Sequence, residues 1–570
     1  MKAAFATPEC SSYRFPLFLA VVLIAAGSLP YAYGYWHAQP SERFMGFVGR
    51  GVPANNEYLM FAKQAQQGLW LFENRLTPEP LPRAYFGPEW WLFGRVARWT
   101  GLPLIGVFHL HRALAAVLMV FSCAYLISLC LQTRFQRRLA LTLIVFGSGF
   151  GWIPWLGSKL YAHLMPLAGP LFGANLPASL NLPPVLTRDI DGVMISNYLV
   201  NVPHFMLGGA FIVLTYAFLL AAEQDGVQRR GYFILSGLCA MIHLLIRPYA
   251  FPEICLVYAL FFAFMSYRDG RLSWGRFFNY AMMAVWLVPA LAYYLILAHT
   301  NALGISGWER KSGYFFEYIF WYGLPFVLLA LYFQGLGYHR RMTQPQLLMT
   351  LWLCVAFFLA QLYPYFKAGE EAALFPFVVV PAVLAVDVPL RRLHRWVMQD
   401  RLWTRFGARR MSPQTFKYAA ATTLVVFCSF SSLVCYGRMF TRLDSNHYSY
   451  YVSDDLYEAF MWLDAKSQPG EVVLTGLETC PFIPRYAQNK VFTGQDMLTS
   501  NFNEKNRLLW RFLGTRGDNQ FKRELVKQFN IRYVLMGPRE KMPDGIVPSD
   551  YAWLQPVFSR KTVTLYKVAL

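Results

Sequence analysis

The sequence predicts a polytopic α-helical membrane protein with a soluble α/β domain at its carboxyl terminus. Hydrophobic stretches near the length of a bilayer crossing recur about eleven times before residue 437. The short loops on one side of these stretches are rich in arginine. After residue 436 the chain changes to helical and β-rich segments, so we expect a membrane domain over 1–436 and a second domain over 437–570.

The predicted spans follow one another without a clear internal repeat. They cover residues 15–34, 105–132, 139–155, 203–222, 231–247, 249–266, 277–298, 314–334, 347–365, 373–389 and 419–436. The first resembles a signal peptide, but its apolar run is too long and no small-residue cleavage site follows it. We therefore interpret it as the first span.

The charge of the loops predicts the orientation of these spans. Arginine-rich loops at 133–138, 223–230, 267–276, 336–346 and 390–418 belong in the cytoplasm together with the amino terminus, because basic loops stay on that side. An odd number of spans then places the carboxyl-terminal domain outside the cytoplasm. The net charge of +20 is dispersed over these loops and forms no groove, so we do not expect a nucleic-acid partner.

Two long outer loops, 35–104 and 156–202, carry more than a connection needs. The first contains EYLMFAKQAQQGLWLF and PEWWLFGRVARW, whose helical apolar spacing and terminal tryptophans predict helices on the membrane surface among its lipids. The second is rich in proline, glycine and asparagine. Both loops are predicted to face the same side as the carboxyl-terminal domain.

The carboxyl-terminal segment alternates two kinds of pattern. DDLYEAFMWLDAK and NEKNRLLWRFLG have helical periodicity, while EVVLTG, KVFTG, IRYVLMG and TVTLYKV are β-rich runs. This interleaving predicts a small α/β domain. Among the nine cysteines only Cys480 lies in this segment, so neither a disulfide framework nor a cysteine metal site is expected.

Glu57 is the first candidate for chemistry. It lies at the start of a predicted surface helix, where a carboxylate could take a proton from an acceptor hydroxyl as a general base. The alternative is a structural acid stabilised by the helix dipole, with Asn55 or Asn56 as the helix cap.

A second acidic pair, Asp189 and Asp191, lies in the other outer loop. Two carboxylates one residue apart could ligate a divalent metal or orient a substrate. They could equally be solvated turn residues, since Asp and Gly favour turns.

Arg112, His204 and Arg247 lie near the outer ends of predicted spans. The forked donors of arginine match a lipid phosphate, and both arginines lie where such a head group would arrive. The alternatives are snorkelling to the interface or an internal ion pair, for instance between Arg247 and Glu253. A histidine at the entry of a span, such as His204, is commonly a structural hydrogen bonder.

Several motifs together suggest a family. They are NNEYLMFAKQAQQGLWLFENRLTPEP at 55–80, FGSGFGW around 147–152, VPHF at 202–205, RPY at 247–249 and VFTGQDMLTSNFNEK at 491–505. With them, the chain resembles the polytopic glycosyltransferases of the C superfamily (the GT-C fold). It is most similar to bacterial members related to protein O-mannosyltransferases.

This resemblance implies an inverting transfer of sugar from a polyprenyl-phosphate donor to a glycan, lipid or protein acceptor at the bacterial inner membrane. It implies catalysis by Glu57 beside Asn55, with substrate binding by Arg112, Asp189, Asp191, His204, Arg247 and Tyr249. No cofactor is predicted, although the two aspartates leave a divalent metal possible.

One departure from the family keeps another function open. In similar sequences we expect an aspartate where this chain has Asn55, so either Glu57 replaces it or the chain is an inactive partner in cell-envelope assembly. A transporter is the third alternative, which the lack of repeat symmetry disfavours.

Overall fold

The computed structural model divides the chain into two compact units. It describes residues 13–49, 52–172, 202–223, 229–303, 315–336, 342–362, 369–387, 389–390, 413–445, 447–542 and 545–570. The first unit comprises Met1–Ser28, Arg112–Ala290 and Arg310–Met439. The second comprises Leu29–His111, Leu291–Glu309 and Phe440–Leu570, so it combines the first outer loop with the carboxyl-terminal segment.

Helices occupy all eleven predicted spans. By length and composition six of the described helices could cross a membrane: Arg14–His37 (α1), Leu104–Cys130, His204–Ala222, Pro248–Arg268, Trp274–Thr300 and Gln344–Gln361. The bent pair Lys417–Cys428 and Phe430–Ser445 would make a seventh. The other predicted spans contain the helices Arg134–Phe146, Trp152–Phe172, Arg230–Ile246, Phe315–Leu336 and Gly369–Asp387. A total of eleven crossings therefore stays a prediction, as does the orientation.

The predicted span 139–155 is interrupted by the glycine-rich motif. One helix ends at Phe146 and the next begins at Trp152. Between them Gly149 lies directly against the backbone of Phe320 and Trp321, leaving no space for a Cβ atom. Ser148 hydrogen-bonds the Cys428 carbonyl, with its Oγ at 2.6 Å. The Phe150 N–H donates to the Phe320 carbonyl at 2.6 Å, and the Ser148 N–H donates to the Cys428 carbonyl. Two N–H groups of the broken backbone are thus satisfied inside the protein, as a membrane environment requires.

The second unit begins with two helices of the outer loop, α2 (Val52–Gln66) and α3 (Pro88–Thr100). The helix predicted from PEWWLFGRVARW is confirmed by α3. The helix predicted from EYLMFAKQAQQGLWLF is confirmed only as far as Gln66. Upstream, a short strand Glu42–Phe44 pairs in antiparallel register with Tyr451–Ser453 and so joins the outer loop to the carboxyl-terminal segment.

A mixed sheet forms the centre of the carboxyl-terminal segment. Its strands are Val472–Leu474, Lys490–Val491, Ile531–Met536, Leu554–Ser559 and Thr564–Val568. The sheet places the first strand between the second and third, all three parallel, and the last two strands are antiparallel additions at one side. The core packs Leu474 and Val534 of the sheet with Leu509 and Phe512.

Most of the secondary structure predicted for this segment is confirmed. The helices Asp454–Lys466 and Phe502–Gly514 and four of the strands lie at the predicted positions. The helix Asn519–Gln528 and the strand Leu554–Ser559 were not predicted. The strand contains Pro556 and a register irregularity, features that are tolerated because it is an edge strand.

Candidate active site

Glu57 lies in the interior of α2, and its side chain is buried. Because α2 begins at Val52, the interpretation of Asn55 or Asn56 as its helix cap is wrong. Glu57 is 5% exposed and its Oε1 atom has no hydrogen-bond partner among the described residues. A buried carboxylate oxygen without a partner is costly for a purely structural residue.

The electrostatic surroundings favour the protonated form of Glu57. Burial, and then the negative charge of Asp496, raise the pKa of Glu57 well above its ordinary value. Asp496 is itself exposed and belongs to the TGQD motif of the carboxyl-terminal segment. A carboxyl whose pKa is raised in this way binds a proton more strongly than an ordinary glutamate, a property that favours a role as general base.

Arg485 fixes the start of α2. It lies in the short helix Ile483–Tyr486 and donates from Nη1 to Asn56 Oδ1 and from Nη2 to the Met45 carbonyl, both at 2.9 Å. Its guanidinium also lies over the Phe47 ring at 4.7 Å. This buried arginine thus fixes the position of the helical turn that carries Glu57.

The two longest family motifs pack on each other. The segment after α2, residues 73–79, runs along residues 490–505 of the carboxyl-terminal segment. Hydrogen bonds join Asn74 Nδ2 to the Leu498 carbonyl at 2.6 Å, Thr499 Oγ1 to the Leu76 carbonyl at 2.8 Å, and Lys505 Nζ to Thr77 Oγ1 at 3.1 Å. The sequence pattern identified both motifs but not their contact. This contact brings Asp496 close enough for its charge to act on Glu57.

Arg75, in the same segment, was missed by the sequence analysis. It is 2% exposed, and its Nε and Nη1 atoms have no partner among the described residues. Its acidic neighbours are already paired, Glu73 with Lys490 at 2.7 Å and Asp464 with Lys63 at 3.3 Å. Burial lowers the pKa of Arg75 to about 10. A guanidinium with unused donors is suited to bind an anionic group.

An acid–histidine pair was also missed. His111 Nε2 lies 2.8 Å from Glu89 Oε1, and both side chains are largely buried. The pair lies beside an aromatic stack, because the Trp90 ring is 6.3 Å from the His111 ring and 4.4 Å from the ring of Tyr58, the residue after Glu57. The sequences PEWW and FHLHR contain both residues, but nothing in their spacing indicates the pairing.

In the first unit, Arg247 and Tyr249 line a small pocket with His243, Glu253 and Phe375. The Arg247 guanidinium stacks over Phe205 at 3.9 Å, which brings it close to His204, the first residue of its helix. Three of the predicted substrate-binding residues are thus brought together. Glu253 accepts hydrogen bonds from Trp352 at 2.6 Å and Tyr216 at 3.3 Å, so this carboxylate is held in place by neutral donors.

Arg112 has a different environment. It is buried, and it donates from Nη1 to the Gly27 carbonyl and from Nη2 to Ser28 Oγ at 2.9 Å. These contacts tie the helix Leu104–Cys130 to the first helix. The guanidinium therefore uses part of its donor capacity within the protein.

Asp189 and Asp191 lie outside the described residues. Within the described ranges, no three His, Cys, Asp or Glu side chains are arranged to hold a metal ion. A divalent metal at Asp189 and Asp191 thus stays a possibility raised by the sequence alone.

No protein-family model and no curated protein sequence matches the chain. Solved structures do match its fold. The oligosaccharyltransferase of Archaeoglobus fulgidus superposes with a TM-score of 0.55 at 12% identity, over 92% of this chain and 69% of that one. Arabinofuranosyltransferase AftD from mycobacteria superposes with 0.54 at 14% identity, over 98% and 42%.

These matches define the fold. The chain has the GT-C fold of membrane glycosyltransferases, as its motifs predicted. The match with ArnT from Cupriavidus metallidurans extends over 97% of both chains, with a TM-score of 0.50 at 11% identity.

Proposed function

We propose that the protein is an inverting glycosyltransferase that moves a sugar from a polyprenyl-phosphate donor to a hydroxyl acceptor at the outer face of a bacterial inner membrane. The observation that carries this proposal is Glu57, a buried carboxyl in a GT-C fold with one oxygen that has no hydrogen-bond partner among the described residues. The solved ArnT structure contains undecaprenyl phosphate, which supports this class of donor. The structural role, an acid stabilised by the helix dipole, is less favoured because Glu57 lies beyond the first turn of α2, where that dipole acts most strongly.

In the proposed reaction, ionised Glu57 removes the proton of the acceptor hydroxyl. The acceptor oxygen forms a bond to the anomeric carbon while the bond from that carbon to the phosphate oxygen breaks. The electron pair of this bond leaves with the polyprenyl phosphate. A single displacement inverts the anomeric configuration.

The leaving phosphate needs a positive partner, and we assign this role first to Arg247. Its guanidinium lines a pocket together with Tyr249, next to His204 and Phe205. Arg112 already donates hydrogen bonds to Gly27 and Ser28, so we consider it the second candidate for binding the leaving phosphate. A positive group at the leaving phosphate stabilises the charge that grows in the transition state.

The test is sugar transfer in proteoliposomes from labelled polyprenyl-phosphate sugars to the membrane lipids and glycans of the host. Glu57→Gln should lower kcat by about 10²–10⁴-fold, the usual contribution of a general base, with donor binding unchanged. Arg247→Ala should weaken donor binding. Glu524→Gln, an exposed change in the same unit, is the matched control.

Two outcomes would contradict the proposal. Full transfer by Glu57→Gln would remove Glu57 from the chemistry. Binding of the donor lipid by wild type without transfer to any acceptor would favour the alternative of an inactive assembly partner. Asn55, in the place of an expected aspartate, supports that alternative.

A further inference from the structure

The parallel part of the sheet has a crevice of a type that often binds ligands. After strand Val472–Leu474 the chain forms its next strand on one side of this pair. After the neighbouring strand Ile531–Met536 it forms the next strands on the other side. In open α/β sheets, ligands bind where neighbouring strands diverge in this way, outside their carboxyl ends. The first strand is followed by Thr475 and Gly476, and the second by Gly537.

In this chain the crevice is filled by the protein itself. Glu540 is 1% exposed, and its Oε1 accepts hydrogen bonds from Thr475 Oγ1 at 3.0 Å and Thr479 Oγ1 at 2.7 Å. The Gly476 N–H donates to the same oxygen at 3.2 Å, and the Gly537 N–H donates to Oε2 at 2.9 Å. These four donors from two strand ends form an anion-binding nest, which the carboxylate occupies.

The fit leaves no space for a second ligand. A Cβ atom at Gly476 would lie 2.9 Å from Glu540 Oε1, and one at Gly537 would lie 3.1 Å from Oε2. A side chain at either position would therefore displace the carboxylate, because the backbone approaches it closely. The Glu540 carboxylate thus occupies the position that a bound anion would take at this sheet.

The turn held by Glu540 leads directly to the Glu57 site. After Thr479 the chain forms the 3₁₀ turn Cys480–Phe482, which packs on α2. Cys480 is fully buried, and burial, then the negative charges of Glu540 and Glu57, raise the pKa of its thiol. The Glu540 carboxylate thus anchors the turn that packs against the helix carrying Glu57.

We propose that Glu540 is a positioning residue for the Glu57 site, acting as an internal anion that holds the turn Thr475–Cys480 against α2. The carboxyl-terminal sheet then supports the catalytic helix and does not bind a ligand of its own. The catalytic part of this inference rests on the proposed function, whereas the positioning of the turn does not.

The test uses the reactivity of Cys480 in the full-length, detergent-purified protein. In wild type this buried thiol should react slowly with a maleimide. Glu540→Ala leaves four donors without an acceptor, so we expect labelling of Cys480 to increase by about tenfold or more, because each lost hydrogen bond to a charged group is worth at least this factor. Sodium formate, a free carboxylate, should restore protection, and sodium chloride at the same concentration should not.

Two controls separate Cys480 from other effects. Glu540→Ala combined with Cys480→Ser gives the labelling of the other cysteines, which is subtracted. Glu524→Ala changes an exposed acid of the same segment and should leave protection unchanged.

Glu540→Gln serves if the alanine variant does not fold. Its carbonyl oxygen can still accept from both threonines and Gly476, but its amide meets the Gly537 N–H donor to donor. Labelling should therefore rise less, without an effect of formate. Thr479→Val, which removes one donor, should behave in the same way.

The inference is overturned if Cys480 stays protected in these variants, or if formate and chloride act alike on Glu540→Ala. In active protein, Glu540→Ala should lower kcat more than it raises KM for the donor, and formate should restore kcat. Formate-dependent protection of Cys480 in a protein without transfer activity would uphold the positioning of the turn and contradict only the proposed enzyme.

Discussion

Replacing Arg485 by methionine tests whether one buried cation holds the start of α2. The change removes two hydrogen bonds of 2.9 Å, to Asn56 and to the Met45 carbonyl, but keeps an apolar chain against Phe47. Hydrogen bonds to a charged group contribute about 1.5–3 kcal/mol each. Burial lowers the pKa of Arg485, so removing the charge regains part of the desolvation cost. We expect a net loss of about 3 kcal/mol.

This loss can be measured as thermal unfolding of the purified protein, followed by intrinsic fluorescence. For a unit of this size, about 3 kcal/mol corresponds to a fall in Tm of roughly 6–12 °C. Arg485→Lys keeps the charge, so its Tm should lie between those of wild type and Arg485→Met. Arg516→Met, which breaks an exposed pair with Asp550, is the control, since such pairs contribute about 0–1 kcal/mol. If Arg485→Met melts within about 2 °C of this control, the anchoring role is refuted.

Two further predictions concern pH and packing. The pKa of Glu57 is raised in the folded state by burial and by Asp496, so the folded protein keeps a proton that the unfolded chain loses as the pH rises above about 4.3. Stability is therefore lost from that pH upward through the folded pKa, and the Tm of Glu57→Gln should exceed that of wild type increasingly as the pH rises through this range; a difference that does not change with pH would contradict this. Gly149→Ala should prevent correct folding, because its Cβ would overlap the Phe320 carbonyl, whereas Gly157→Ala meets no neighbouring atom and should be tolerated; equal yields of monodisperse protein in size-exclusion chromatography would refute the packing argument.

Local patterns predicted the position of nearly every helix. The helices Trp274–Thr300 and Asp454–Lys466 follow their hydrophobic periodicity closely, because burial of one face or insertion in a bilayer depends on the chain's own residues. The break at 147–151 was not predicted from the same signal. Its apolar composition suits a span, and only the approach of Phe320 and Trp321 shows why Gly149 interrupts it.

The candidate site was predicted in its residues but not in its arrangement. Glu57 was identified from its place at the start of a predicted surface helix, Arg247 from its place near the end of a span, and Tyr249 from the resemblance to the family. The pairing of Glu89 with His111 and the unused donors of Arg75 were not, because each depends on what lies next to the side chain in space. Arg112 shows the reverse case, since its type suits a phosphate while its contacts include Gly27 and Ser28.

The sequence by itself determined that this chain is largely helical, apolar enough for a membrane, and similar to a glycosyltransferase family. Hydropathy and periodicity carry that information, and both are local properties. Only the tertiary structure decided that Glu57 is buried, that Asp496 acts on it, and that Glu540 fills the crevice of the sheet. These three depend on groups that meet across long sequence separations, and burial and electrostatic interaction follow distance in space rather than order along the chain.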